Sequence, residues 1–376
     1  MLIKNANVYN SDELCFKKID IRIKNGIIAE MGELDALCDE LLDASDSYIV
    51  PGLVDVHTHG RAGYDFLDAD ADLHKMARAY AERGVTTVMP TVASAPLDEM
   101  YGVAEKINSF VPMQGEASFC GVHIEGRYLN PDKRGAHSTD VISALDAEEL
   151  DCDTLKSCRA LHVSAAYELD SDGSFAKKAK KIGATLGLAH TSATYEQALA
   201  AERNGVTSYT HLFNAMPSLH HRDGGAVLAA LMGDCFAEII CDGIHVCPDM
   251  VRFAYRLLGN ERMSLISDSM SATGCKDGEY AIAGTPVRVV DGIARTPEGN
   301  LAGSTLTLDT ALNNLIAFCG IPLEEALPCA TANPAKQMGV YDECGSVDVG
   351  KRADLLFLDG REKLDITRIM INGRFI

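Results

Sequence analysis

Short apolar runs alternate with helix-like stretches through the middle of the chain. Eight runs have the length and composition of strands: LVDVHTH, VTTVMPTV, CGVHIEG, ALHVSAAYE, TLGLAHTS, SYTHLFNA, AEIICDGIHV and MSLISDS. Amphipathic stretches such as HKMARAYAERG and TYEQALAAERNG lie between them and end in Gly, which is typical of a helix C-terminus. Eight strand-helix units predict a parallel α/β fold closed into a (β/α)8 TIM-type barrel. The alternative, an open doubly wound sheet, would need a Gly-rich dinucleotide loop after the first strand, and the sequence has none.

The two chain ends show a different, strand-like alternation of apolar and polar residues. MLIKNANVYN and DIRIKNGIIAEMG have it near the start, ITRIMINGRFI has it at the end, and both regions contain an Asn-Gly hairpin signal. Because chain ends tend to lie close together, we predict one small β-sandwich domain built from residues 1–50 and 345–376. Residues 51–344 then form the barrel, with a β-hairpin insertion at about 277–300.

Composition limits the classes of function. The 376 residues carry a formal net charge of −20, which disfavours nucleic acid or an anionic membrane as a partner. The 12 cysteines are scattered without a CxxC pair, so the sequence has neither a zinc ribbon nor a thioredoxin-type motif. The first residues lack the apolar core of a signal peptide, and no apolar stretch reaches membrane-spanning length. We therefore expect a cytoplasmic protein.

Histidines and carboxylates stand at the ends of five of these runs. They are His57, His59, Glu125, His190, His211 and Asp268. Barrel enzymes place their catalytic groups at the carboxyl ends of the strands. His57 and His59 are alternate residues of one strand, so both imidazoles would face the same metal ion. Imidazole and carboxylate donors suit zinc or iron, and a carboxylate at Asp268 could move protons. The pattern therefore predicts a metal-dependent hydrolase.

Each of these residues also has a structural interpretation. A lone histidine at a strand end is commonly a hydrogen-bonded core residue, and His123 fits a position deeper in the barrel better than that of a ligand. A buried Glu125 could pair with Arg127 or Arg134. Asp268, in Ser-Asp-Ser, could cap the following turn. The clustering of all six residues at strand ends favours chemistry.

A basic cluster follows the sixth strand. His220, His221 and Arg222 are consecutive in an otherwise acidic protein, and the fork of donors on Arg suits a phosphate group. The alternative is a solvated loop with an ion pair between Arg222 and Asp223.

Several motifs together resemble the N-acetylglucosamine-6-phosphate deacetylases of the amidohydrolase superfamily, nearly end to end. They are PGLVDVHTHG, HLFNAMPSLHHRDGG, DGIHV, LISDSMSATG and NLAGSTLTLD. The resemblance implies hydrolysis of N-acetylglucosamine 6-phosphate to glucosamine 6-phosphate and acetate, in amino-sugar catabolism or recycling. It also implies one or two Zn or Fe ions per subunit. N-acetylgalactosamine 6-phosphate or another N-acyl amino-sugar phosphate is the alternative substrate. An inactive sugar-phosphate-binding protein would have a broken ligand set, and an amidohydrolase for cyclic amides would not need the HHRD cluster.

The resemblance also implies roles for individual residues. Glu125, His190 and His211 match the main metal ligands, His57 and His59 match a pair that could hold a second ion, and Asp268 matches the catalytic acid/base. His137 matches a residue that polarises the amide carbonyl. The substrate-binding positions match Ala136, His137, Asn214, Ala215, Arg222, His245, Leu301, Ala302, Gly303 and Ser304. Arg222 resembles a phosphate ligand that can come from the partner subunit, which implies a homodimer.

One position departs from the family pattern. Members usually have Pro after the Glu-Gly of the third strand, where this chain has Arg127. We expect a looser loop and a guanidinium group near the sugar.

Overall fold

Eight parallel strands form a closed barrel in the computed structural model, which describes residues 1–36 and 40–376. The strands are Leu53–Thr58, Val85–Ala93, Val122–Glu125, Leu161–Ala165, Thr185–Leu188, Val206–Tyr209, Phe236–Ile240 and Met263–Ile266. Each pairs in parallel with the next. A parallel bridge between Thr58 and Ser269 brings the last strand back to the first. All eight predicted strands are present, and the barrel prediction is confirmed.

The barrel strands are apolar on both faces because helices cover their outer side and side chains fill the interior. All nine residues of Val85–Ala93 are buried, for example, and this strand also pairs with the short strand Ser118–Phe119. A strand that is buried on both faces is apolar at consecutive positions. Continuous apolar runs therefore predict barrel strands better than an alternation of apolar and polar residues does.

Helices follow the strands, and the helix predicted from TYEQALAAERNG begins and ends where the sequence predicts. Tyr195–Asn204 begins after a capping box formed by Thr194 and Gln197 and ends at Gly205, whose φ is +112°. The helices are Leu73–Ala81, Leu97–Asn108, Asp153–Lys156, Ser174–Lys181, Tyr195–Asn204, Gly225–Met232, Pro248–Arg262, Leu308–Cys319, Leu323–Ala326 and Ala332–Gln337. Short 3₁₀ turns lie at Pro131–Lys133, Thr139–Val141, Ala147–Leu150, Tyr167–Leu169 and Leu327–Ala330.

The two chain ends form one continuous sheet beside the barrel. Its strands are Leu2–Asn10, Cys15–Lys24, Ile27–Gly32, Leu41–Asp43, Tyr48–Pro51, Leu355–Leu358, Ile366–Ile371 and Arg374–Phe375. Tyr48–Pro51 joins the halves, because it pairs with Leu2–Asn10 on one side and with Leu355–Leu358 on the other. The sheet has its own apolar core, which includes Ile21, Ile49 and Phe357. A small β domain from both termini is confirmed, whereas its limits at residues 50 and 345 stay predictions. Cys38 lies outside the described residues.

An antiparallel three-stranded insertion follows the last barrel strand. Its strands are Gly278–Ile282, Thr285–Val290 and Ile293–Arg295, and a second small ribbon pairs Gly60–Arg61 with Tyr64–Asp65. Within residues 1–36 and 40–376, no single helix is long and apolar enough to cross a membrane. One helix pair, Leu308–Cys319 with Leu323–Gln337, passes on length and composition alone and is bent by 120°.

Candidate active site

The histidines at the strand ends converge on Glu125 at the carboxyl end of the barrel. Nε2 of His211 and Nε2 of His190 lie 2.9 and 3.3 Å from Oε1 of Glu125. Nε2 of His59 and Nε2 of His57 lie 3.1 and 3.4 Å from its Oε2. Each carboxylate oxygen therefore faces one pair of imidazoles. Glu125 is 1% exposed, so this arrangement is shielded from solvent.

The backbone turns sharply where three of these strands end. His190, His211 and Asp268 have φ values of +43°, +32° and +46°, in the left-handed region that non-glycine residues rarely adopt. Such conformations cost on the order of 1–3 kcal/mol each and occur mainly where the surrounding structure enforces them. Here they coincide with the side chains that meet at the mouth of the barrel.

Hydrogen bonds at Nδ1 fix the tautomers of two of the histidines. Nδ1 of His190 lies 2.7 Å from the carbonyl oxygen of Lys133, and Nδ1 of His57 lies 3.0 Å from Oε2 of Glu238. Both partners accept hydrogen bonds, so each Nδ1 carries the proton. In each ring Nε2 then faces the cluster, so it is the nitrogen that would give up its proton to coordinate a metal ion.

The charges of the cluster fit a divalent cation. Within the described residues, the ion pairs of Glu125 are all with histidines, so the alternative of a partner at Arg127 or Arg134 is not observed. Burial opposes ionisation of Glu125, yet the imidazoles, His57 foremost, hold its pKa well below the ordinary value. Burial also opposes charge on His59, but the hydrogen bonds that its ring donates to Asp268 and Glu125 raise its pKa to about 9.

The cluster therefore demands positive charge, and Nε2 of His57 has no hydrogen-bond partner in the described chain. A cation would satisfy both needs, so the donor set fits zinc or iron.

His137 differs from the ligand-like histidines because its Nδ1 accepts a hydrogen bond. The donor is the backbone N–H of Ser94, at 3.3 Å. Burial and the neighbouring His190 lower the pKa of His137 to about 3, so the ring is neutral and its proton sits on Nε2. That N–H faces the site, 3.9 Å from Oε2 of Glu125. His137 is therefore built as a hydrogen-bond donor.

Asp268 lies beside the histidine pair of the first strand. Its Oδ1 is 3.3 Å from Nε2 of His59 and 3.7 Å from Nε2 of His57. Burial opposes ionisation, but these two imidazoles lower the pKa of Asp268 to about 2, which leaves a carboxylate that can accept a proton. The backbone N–H of Ser304 donates to the carbonyl oxygen of Asp268, which holds this strand end in place.

These groups open onto one cavity of about 230 Å³. Most of the predicted site residues line it: His59, Glu125, Ala136, His137, His190, His211, Asn214, Ala215, His245, Asp268, Leu301, Ala302 and Gly303. His57, Arg222 and Ser304 are not among the described residues that line it. His57 lies beneath, where its ring packs 4.7 Å from that of His123, which is buried and hydrogen-bonded to Ser164 as expected for a deeper position.

Two expectations about arginines need correction or refinement. Arg127 forms a two-pronged ion pair with Glu149 and does not line the cavity, and its backbone N–H donates to Oγ of Ser94 at 2.9 Å. The prediction of a loose loop with a guanidinium group near the sugar is therefore wrong. Arg222 is exposed, and its guanidinium contacts Nε2 of His221 at 2.7 Å instead of pairing with Asp223.

Most of the site residues that the sequence did not predict contact the predicted histidines and orient their rings. Glu238 contacts His57, Ser94 contacts His137, and Asp242 accepts a hydrogen bond from Nδ1 of His245 at 2.6 Å. Ile282 and Ala283 of the insertion also line the cavity. Of these residues, only Glu238 could have been recognised from the sequence, because it is a lone carboxylate inside the apolar run AEII.

An eight-stranded barrel with a Glu-centred histidine cluster at the strand ends defines a class of hydrolases that use divalent cations. The chain belongs to the amidohydrolase family, whose family model matches residues 48–376. It is 35% identical over 332 residues to an N-acetylglucosamine-6-phosphate deacetylase of Vibrio furnissii, covering 87% of this chain and 82% of the relative. It is 34% identical to an N-acetylgalactosamine-6-phosphate deacetylase of Escherichia coli O157:H7, covering 94% and 93%.

Solved structures agree with this assignment. The N-acetylglucosamine-6-phosphate deacetylase of Thermotoga maritima superposes with a TM-score of 0.89 at 30% identity, covering 100% of this chain and 99% of that one. A variant of the Mycobacterium smegmatis enzyme, in complex with N-acetyl-D-glucosamine-6-phosphate, gives 0.88 at 30% identity, covering 100% and 98%.

Proposed function

We propose that this protein removes the acetyl group of N-acetylglucosamine 6-phosphate, giving glucosamine 6-phosphate and acetate. The observation that carries the proposal is the cluster of Glu125 and its four histidine neighbours, beside a cavity that Asp268 and His137 also line. The deacetylases among the relatives and solved structures supply the substrate class. The reaction fits a cytoplasmic enzyme of amino-sugar catabolism or recycling.

One or two divalent ions, Zn or Fe, complete the site in this proposal. Glu125, His190 and His211 would hold the first, and His57 and His59, with Glu125, the second. A bound cation of this kind lowers the pKa of water to about 7 and polarises a carbonyl oxygen.

The protein's own groups then move the protons. Asp268 accepts a proton from the attacking water as its oxygen bonds to the acetyl carbon. The Nε2–H of His137 donates to the carbonyl oxygen as negative charge develops there. Asp268 returns the proton to the amide nitrogen as the C–N bond breaks, so that glucosamine 6-phosphate leaves as the amine and acetate remains. His245, held through Nδ1 by Asp242, offers the lone pair of Nε2 to a hydroxyl group of the sugar.

We propose further that Arg222 binds the 6-phosphate across a homodimer interface. Among the described residues that line the cavity, none is Lys or Arg, so a cation for the phosphate would come from outside this lining. The segments after Arg222 expose an apolar set suited to an interface: Met232, Ile244, Phe253 and Leu257. Binding energy from the phosphate would then orient the distant amide.

N-acetylgalactosamine 6-phosphate is the second candidate substrate. The relative from Escherichia coli O157:H7, which bears that activity in its name, is about as similar to this chain as the one from Vibrio furnissii. The two sugars differ in the orientation of one hydroxyl group.

Acetate release tests the proposal directly. N-acetylglucosamine 6-phosphate, its galacto epimer and unphosphorylated N-acetylglucosamine are assayed with the same preparation, in which bound Zn and Fe are quantified. We expect the fastest release from the gluco phosphate and little from the unphosphorylated sugar. No release from either phosphate by fully loaded protein would refute the proposal, and faster release from the galacto epimer would select the second candidate.

A further inference from the structure

Glu238 is a fully buried carboxylate on the seventh barrel strand, beneath the cavity. Its exposed fraction is 0%, and its neighbours Ala237 and Ile239 are apolar and equally buried. Burying a charged group in such surroundings is costly unless its oxygens are fully engaged. A carboxylate at this position therefore needs a purpose that an apolar residue could not serve.

The oxygens of Glu238 serve both halves of the histidine cluster. Oε2 lies 3.0 Å from Nδ1 of His57 and also accepts the backbone N–H of His211 at 3.3 Å. Oε1 accepts a hydrogen bond from Nε2 of Gln337 at 2.7 Å. One side chain thus ties the first barrel strand to the end of the sixth.

The contact with Nδ1 decides what His57 offers to the cluster. A carboxylate can only accept, so the His57 proton is held on Nδ1. Nε2 then faces Oε2 of Glu125 and Oδ1 of Asp268, 3.4 and 3.7 Å away. A cation among these three atoms would balance the two carboxylate charges.

Gln337 helps to fix the orientation of the Glu238 carboxylate. It is 2% exposed and ends the helix Ala332–Gln337, which leads from the barrel toward the terminal β domain. Its amide donates to Glu238, which leaves Oε2 directed at His57. The helix thereby adds a third hydrogen bond, on Oε1, to the two that hold Oε2 of the carboxylate.

We propose that Glu238, held by Gln337, is a positioning residue that locks His57 as a ligand and so determines binding of a divalent cation on the His57–His59 side of Glu125. This inference rests on the cation binding in the proposed function. The side formed by His190 and His211 is oriented separately, because Nδ1 of His190 bonds to the carbonyl oxygen of Lys133.

The test compares the metal content of purified full-length variants loaded with Co²⁺. Glu238→Met removes the acceptor at similar volume, whereas Glu238→Gln keeps an oxygen that can accept the Nδ1 proton. We expect two Co²⁺ ions per chain in the original protein and about one in Glu238→Met, because the affinity for the second ion should fall by about 10- to 100-fold. Glu238→Gln should keep most of the affinity for the second ion and the absorption band of Co²⁺ bound there.

Two further variants separate positioning from a general loss of stability or charge. Asp55→Asn removes another buried carboxylate, which contacts the backbone N–H of His57 but not its ring, and should retain both ions. Gln337→Met leaves Glu238 in place and should weaken the second ion severalfold, which keeps the test decisive if Glu238→Met does not fold. Far-UV circular dichroism and thermal melting identify variants that fail to fold.

Several outcomes would overturn the inference. The first is two tightly bound ions in Glu238→Met, or unchanged affinity for the second ion in Gln337→Met. The second is a loss of the second ion in Glu238→Gln or in Asp55→Asn that equals the loss in Glu238→Met. The third is a single bound ion in the original protein. Acetate release is measured separately. Loss of one ion in Glu238→Met without any deacetylation by the original protein would refute the proposed substrate and leave the inference standing.

Discussion

At the scale of single residues, the partner of each ring nitrogen separates ligands from donors. His57 and His190 bond through Nδ1 to acceptors, so Nε2 offers a lone pair. His137 bonds through Nδ1 to the backbone N–H of Ser94, so its Nε2 offers a proton. Three histidines of one cluster thus acquire two chemical functions from their surroundings.

In the proposed mechanism, proton transfer depends on Asp268. Asp268→Asn removes the proton acceptor at nearly constant volume, and we expect kcat to fall by about 10²–10⁴-fold, the usual contribution of general acid–base catalysis. Metal content and the Kd for substrate, measured by calorimetry, should change little. Turnover near that of the original protein would contradict the assigned role.

Arg127 gives a prediction about stability, because its backbone φ is +59°. Proline cannot adopt a positive φ and has no N–H for Oγ of Ser94, so Arg127→Pro should cost about 3 kcal/mol or more in the free energy of unfolding. Arg127→Gly is the matched control. Glycine tolerates this φ and keeps the N–H, so only the side-chain contacts with Glu149 and Ala95 are lost, as they also are in Arg127→Pro. Urea denaturation measures both, and equal stability of the two variants would contradict the argument.

The residue types of the site could be predicted from sequence, but their orientation could not. Histidines and carboxylates at the ends of predicted strands can be read from the sequence, and they are expected to cluster because a barrel brings its strand ends together. The partners that fix tautomers come from far along the chain, with Glu238 181 residues from His57 and Ser94 43 residues from His137. Only the folded structure shows these contacts.

At the scale of elements, the strands could be predicted more completely than the insertion. Apolar runs revealed all eight barrel strands because nearly all of their residues are buried on both faces. The insertion after the last barrel strand was recognisable as β structure, but which of its residues line the cavity was not. Its tip, Ile282 and Ala283, lines the cavity through tertiary contacts that leave no periodic signal.

Two hydrogen bonds hold this tip over the cavity. Oγ1 of Thr285 donates to the carbonyl oxygen of Ala136 at 3.0 Å, and Oδ2 of Asp65 accepts the N–H of Ala283 at 3.3 Å. Thr285→Val removes the first at constant shape. If the tether contributes about 1 kcal/mol to closing the site, KM should rise about fivefold with kcat unchanged.

Steady-state kinetics with N-acetylglucosamine 6-phosphate measures the effect. Thr305→Val is the control, because the Thr305 hydroxyl donates to Gly292 within the base of the insertion and not to the segment around Ala136. A KM that is equal in both variants would show that the tether does not act on substrate binding.

At the scale of the whole molecule, net charge and the location of cations make the dimer testable. A net charge of −20 opposes an anionic substrate, so a phosphate needs a local cation, and the cavity has none from its own subunit among the described lining residues. Arg222 is exposed, and its one side-chain contact among the described residues is with His221, so the guanidinium can reach a neighbouring subunit. A site completed across a two-fold axis requires residues from both chains.

Mixed dimers of two inactive variants distinguish the two arrangements. Arg222→Ala and Asp268→Asn are co-expressed with different affinity tags, and dimers that carry both tags are purified. If Arg222 acts across the interface, one of the two sites has both residues intact, so acetate release should recover to about half of the original protein. If Arg222 acts within its own chain, every site lacks one residue, and the mixed dimer should be as inactive as either parent. Dimers of Asp268→Asn with both tags provide the background rate.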